Sequence, residues 1–250
     1  MRTLDDDFEA EDGTPLRLTR VETGASAVAL VVPGIFADRR MPEHVLLRER
    51  LAGLLDAATL DVRGHGQSGG AFTWGVREPG DVARLARRLR ATYARVLGVG
   101  FSFGGFHCTL AAAAEAAAGR EPLFDALALV GTPAHLLLLD HNPLGVGLLR
   151  HLRPALRRRR RFTRLSPWPF PRPADPQDVI AGIAATPLLV AHGAHDWLVP
   201  VAHARRLHER ARTEKELALV ARGLHAEYML ADRPDDLLRP LLAFVERALA

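Results

Sequence analysis

A serine flanked two residues away on each side by glycine occurs in Gly100-Phe101-Ser102-Phe103-Gly104. A tight strand-to-helix turn needs such small flanks, because the two backbones meet there and leave no room for side chains. A serine on that turn stands clear of the sheet as a nucleophile. Its hydroxyl is nevertheless a weak one: an imidazole must take the proton, and a carboxylate must fix the imidazole's tautomer and stabilise its charged form. The free amides at the start of the following helix, that of Phe103 first, favour negative charge developing on a bound carbonyl oxygen. The competing reading of the same five residues is a serine that only caps a helix.

The chain offers eleven histidines as the base. His225 is the expected one, in Gly223-Leu224-His225-Ala226-Glu227 after the strand-like residues 217–220. His192 and His195 read as structural turn residues, and His107 lies one turn into the helix after Ser102 and points elsewhere. Asp196 is the expected acid, in a loop at the carboxyl end of a strand, with Asp140 as its rival from the preceding connection.

The elements that must carry these side chains follow from periodicity. Short apolar runs at 27–32, 58–62, 96–100, 127–130 and 187–191 read as strands buried on both faces. They alternate with helical patterns at 42–55, 81–93, 104–118, 201–212 and 235–249. In the second of these, Val82, Leu85, Leu89 and Tyr93 recur at helical steps, which leaves the arginines facing water. Residues 15–21 alternate and fit an antiparallel edge hairpin. The expected fold is α/β, a mostly parallel sheet flanked by helices. Ser102 then sits between the strand ending near Gly100 and the Ala-rich helix beginning near Gly104.

With these motifs in chain order, the sequence resembles the α/β-hydrolase superfamily, in its serine esterase, lysophospholipase and serine-aminopeptidase-like branch. The resemblance runs from about Pro15 onward and rests on four motifs: Val32-Pro33-Gly34-Ile35-Phe36, Asp61-Val62-Arg63-Gly64-His65-Gly66-Gln67-Ser68, the Ser102 turn, and the Asp196 and His225 loops. The order Ser, Asp, His is the family's. The resemblance implies a second oxyanion amide from the residue after Gly34, here Ile35, with Phe36 as the neighbouring alternative. Pro33 departs from the family's usual His, but a backbone donor survives that change. The resemblance also implies that Asp61 and His65 pin the loop beneath the site rather than react. Relatives that dehalogenate or open epoxides carry Asp at the turn, so Ser102 argues against both.

The pattern breaks at residues 135–185, which read as a lid or cap inserted into a core domain of residues 1–134 and 186–250. Leucines at 136–139 and within 144–156 lead to five consecutive arginines, Arg157, Arg158, Arg159, Arg160 and Arg161. A lid helix covering the pocket with its leucines is the plain reading, although Pro154 must kink or end it. The arginines could instead meet phosphate groups of a substrate or an anionic membrane surface.

Composition narrows the remainder. The chain has 250 residues, 48% of them hydrophobic, enough for one substantial core. The net charge of +4 comes from arginines spread along the chain, with Lys215 the only lysine, so a nucleic-acid partner is not expected. Cys108 is the only cysteine and cannot form an internal disulfide. The acidic first 11 residues do not resemble a secretory signal, and the apolar run 25–36 is shorter than the roughly 20 residues of a membrane span.

The expectation is a cytoplasmic serine hydrolase acting on a small-molecule acyl ester, with no metal and no organic cofactor. An acyl thioesterase or a serine peptidase would use the same triad. A non-catalytic binder on the same fold is the alternative of another class.

Overall fold

The structure, a computed structural model, describes residues 1–135, 163–167 and 172–250. Among the described residues the eight strands are β1 (Arg2–Glu9), β2 (Pro15–Glu22), β3 (Ala27–Val32), β4 (Asp56–Asp61), β5 (Arg95–Phe101), β6 (Ala126–Val130), β7 (Leu188–Gly193) and β8 (Lys215–Val220). The helices are α1 (Pro42–Leu51), α2 (Glu78–Arg90), α3 (Phe103–Ala117), the single turn α4 (Pro176–Val179), α5 (Ala202–Arg210), α6 (Glu227–Asp232) and α7 (Pro234–Leu249).

All eight strands form one sheet in the order β1-β2-β4-β3-β5-β6-β7-β8. β2 runs antiparallel to both neighbours, and every pair from β4 onward is parallel. The apolar runs are continuous because helices cover both faces. Alternate residues of one strand therefore enter different cores. Val28, Leu30 and Val32 of β3 pack with α2 and α3, while Ala27, Ala29 and Val31 pack with α1 and α7. The α2–α3 face includes Val82, Leu85, Leu89 and Phe106, and the opposite face includes Leu47, Leu241 and Phe244.

The edge hairpin expected at 15–21 has β1 as its first strand. Three consecutive acids, Asp5, Asp6 and Asp7, hide this strand from a reading by hydrophobic alternation. Across the hairpin they meet partners: Asp5 accepts from Thr19 Oγ1 at 2.6 Å, Asp6 pairs with Arg20, and Asp7 pairs with Arg17.

The leucine-rich stretch, the five arginines and Asp140 lie outside the described residues. Where the segment is described again, it is tied to the loop after β4. Arg164 donates its amide to the Gly64 carbonyl at 2.9 Å and accepts from the Phe72 amide at 2.7 Å, and Trp74 Nε1 reaches the Ser166 carbonyl at 3.0 Å. Further on, Ile180 and Ile183 are buried in the α2–α3 core, so the chain has rejoined the core before residue 185.

Candidate active site

Four parallel strands, β3, β5, β7 and β8, deliver the candidate residues beyond their carboxyl ends, the usual place for a site on an α/β sheet. Ser102 occupies the single residue between β5 and α3. Its backbone has φ 48° and ψ −118°, a conformation that strains a residue carrying a Cβ. The turn is held from both sides. The Ser102 amide donates to the Val130 carbonyl at 2.8 Å, and its carbonyl accepts from the Phe106 amide. A Cβ on Gly104 would stand 1.9 Å from the Val32 carbonyl oxygen, and one on Gly100 would stand 2.5 Å from Gly105 Cα. The two glycines let α3 press against the ends of β3 and β5, as the sequence spacing implies.

Ser102 Oγ lies 3.0 Å from His225 Nε2, and His225 Nδ1 lies 2.7 Å from Asp196 Oδ2. A carboxylate only accepts, so Nδ1 carries the proton and Nε2 offers its lone pair to the serine hydroxyl. The other carboxylate oxygen, Oδ1, accepts from the amides of Leu198 at 2.9 Å and Val199 at 2.8 Å. His192 Nε2 approaches Oδ2 at 3.3 Å.

The second candidate amide, that of Ile35, belongs to a turn beyond β3 closed by the Ala37 amide on the Gly34 carbonyl at 3.2 Å. Phe36, its neighbour, has φ 66°. Phe103 opens α3, so its amide lies in the first turn, where helix amides have no partner within the helix. Its side chain packs edge-on against Phe72, with ring centroids 5.5 Å apart.

The other histidines fall outside this chain of contacts. His107 and His65 are buried around Phe72, and burial lowers both to about 4. His195 is exposed. Asp61 sits beneath the site, accepting from the amides of Arg39 and Gln67 at 2.8 Å each, with Arg39 Nη1 at 3.0 Å.

Residues 29–250 match the family model described as the alpha/beta hydrolase family. The chain belongs to this family. No curated protein sequence matches it. Among solved structures, this α/β hydrolase resembles the esterase Pf2001 of Pyrococcus furiosus, with 20% identity and a TM-score of 0.77 over 98% of this chain and 91% of that one. It also resembles the α/β hydrolase GrgF from Penicillium sp. sh18, with 18% identity and a TM-score of 0.80 over 99% of both chains. Est1E from Butyrivibrio proteoclasticus, solved with ferulic acid bound, is 14% identical, with a TM-score of 0.71 over 96% of this chain and 99% of that one.

Electrostatics in this hydrolase-family site follow from the contacts. Burial alone would raise the Asp196 carboxyl, but His225 and His192 hold it well below the usual carboxylate range. Burial would lower His225, but the Asp196 carboxylate overrides it and raises the imidazole above its ordinary value. The two side chains thus stabilise each other's charged forms.

Two residues beside this chain of contacts escaped the sequence reading. Glu227, two residues after His225, accepts from the Gly34 amide at 2.7 Å and faces His44 Nε2 at 3.5 Å. Nothing in local spacing connects residues 34, 44 and 227, and only the packing of α1 beside α6 does so. Among the described residues, no group of three or more His, Cys, Asp or Glu could hold a metal ion. None of their helices is long and apolar enough to cross a membrane.

Proposed function

We propose that the protein is a serine hydrolase that cleaves a carboxylic ester through an acyl-enzyme. The observation that carries this reading is the unbroken chain from Ser102 Oγ to His225 at 3.0 Å and from His225 to Asp196 at 2.7 Å, on a strained turn at a helix N-terminus. In the first half-reaction Ser102 Oγ attacks the ester carbonyl carbon while His225 Nε2 takes the hydroxyl proton. The carbonyl oxygen becomes an oxyanion, stabilised by the amides of Phe103 and Ile35. Collapse expels the alcohol, which takes the proton from His225 and leaves Ser102 acylated. A water molecule then repeats the attack: His225 accepts its proton, and the acid departs as Ser102 Oγ recovers that proton.

Asp196 holds His225 in the tautomer that this sequence requires and stabilises its protonated form. The general-base step accounts for roughly 10²–10⁴-fold of rate and each oxyanion donor for about 10²–10³-fold. The fold is shared with the esterase Pf2001, which supports an ester as the substrate class.

Replacing Ser102 with Ala is expected to abolish both hydrolysis of a short-chain aryl ester and labelling by a fluorophosphonate. Retention of both by the variant would refute the assignment. A wild type that binds a ligand but does not react would point to a binding protein.

A further inference from the structure

Glu227 is a buried carboxylate that the acyl-enzyme sequence does not use. Burying a charge costs several kcal/mol unless it is paired and hydrogen-bonded, so its surroundings indicate what it does. Burial would favour the neutral acid, but His44 and the Gly34 amide hold Glu227 down at about 2. The cost is met between the loop of the proposed base and the turn of the proposed second oxyanion amide.

Three features make this junction tight. A Cβ on Gly34 would stand 3.0 Å from Ser102 Cβ and 3.1 Å from Glu227 Oε1, so any side chain there would push these residues apart by a few tenths of an ångström. The turn from Gly34 to Ala37 is closed by its own hydrogen bond and therefore moves with Gly34. Ala226, between His225 and Glu227, has φ 42° and ψ −114°, a strained conformation much like that of Ser102. That bend directs His225 to the serine and Glu227 to Gly34. Because Glu227 takes the Gly34 amide, the donor to the substrate oxygen must come from later in the turn, at a place that Gly34 sets.

We infer that Glu227 is a positioning residue whose carboxylate oxygen, bonded to the Gly34 amide, holds the 34–37 turn at the distance from Ser102 that the oxyanion requires. This rests on the acyl-enzyme reading above. Two conservative variants separate the bond from the charge. Glu227→Gln keeps a carbonyl oxygen at the same reach and loses the charge, while Glu227→Asp keeps the charge and falls one methylene short.

With an aryl ester, Glu227→Asp is expected to lose roughly 10²-fold in kcat with KM little changed. Its affinity for a trifluoromethyl ketone, which forms an oxyanion adduct with the serine, falls by the same factor. Glu227→Gln keeps most of both. Hydrogen exchange of the Gly34 amide, which needs no turnover, is slow in the wild type and in Glu227→Gln and fast in Glu227→Asp. An active wild type whose two variants lose kcat equally, lose only KM, or protect Gly34 equally would overturn the inference alone. A wild type inert to both ester and fluorophosphonate would overturn the acyl-enzyme reading and this inference together.

Discussion

His192, the penultimate residue of β7, faces Asp196 in the turn beyond the strand, with Nε2 3.3 Å from Oδ2 and both side chains fully buried. The same nitrogen lies 2.8 Å from the Val199 carbonyl, which can only accept, so it carries a proton. That N–H donates to Val199, in the loop of Asp196, and lies beside the carboxylate proposed to orient His225. The bond to Val199 ties the end of β7 to the loop that carries Asp196.

His192→Phe removes that donor while filling similar space. Leaving the Val199 carbonyl without that donor costs about 1–3 kcal/mol of stability. We expect kcat/KM for an aryl ester to fall about tenfold, the equivalent of ~1.4 kcal/mol, with most of the loss in kcat. Denaturant titration and steady-state kinetics on the same preparation check this. Unchanged kinetics would mean that the two amides alone orient Asp196.

The pH dependence follows from His225. Burial works against its protonation, but the Asp196 carboxylate more than offsets this, so its pKa lies above the ordinary value of 6.5. In the proposed mechanism the neutral imidazole is the base. Activity is therefore low below that raised pKa and climbs as pH rises through it to a plateau. Asp196→Asn removes the charge that raises it, so the inflection should move to lower pH while the rate drops roughly 10⁴-fold. A pH profile of kcat/KM with its inflection at or below 6.5 in the wild type would contradict the coupling.

The Ser102 turn can be tested through backbone packing alone. Gly104→Ala would place a Cβ 1.9 Å from the Val32 carbonyl oxygen, where neither backbone can give way. We expect a loss of about 3 kcal/mol or more, or failure to accumulate folded protein. Gly80→Ala in α2 is the control: nothing lies within 4 Å of its Cβ, and the change should be neutral or stabilise by about 0.5 kcal/mol. Equal effects in thermal melts would mean that the close approach at Gly104 is not what the turn depends on.

The legibility of these features depended on how local their causes were. β3 was readable as Ala27–Val32 because each of its residues is apolar and buried, and Ser102 stood out because glycines must flank it. β1 was not readable, since Asp5, Asp6 and Asp7 become sheet residues only when Thr19, Arg20 and Arg17 lie opposite. α6, also unanticipated, is short and starts from the strained Ala226, which no propensity favours. Glu227 and His44 stayed hidden for a related reason: their contact joins parts of the chain that spacing does not relate. For Asp61 the resemblance implies a loop pin, while its partners, the amides of Arg39 and Gln67, come from the fold.

A last prediction concerns α2 and α3, which frame the sheet face behind Ser102. Glu115 on α3 takes Arg87 of α2 on one side and Arg120 on the other; Arg120 Nε and Nη2 each stand 2.8 Å from it. Hydrogen bonds from Arg120 and Arg87 bring its carboxyl from the ordinary value of 4.5 down to about 2. A carboxyl depressed by folding stabilises the folded state above the unfolded pKa, and that stability disappears as pH falls through the folded value. Both arginines are about half exposed, so screening by water limits the gain to roughly 1 kcal/mol at neutral pH. Glu115→Gln should therefore unfold at lower urea than the wild type at pH 7. The gap should shrink between about pH 4.5 and 2 and be absent below. A gap that persists at pH 2 would assign the effect to packing rather than to charge.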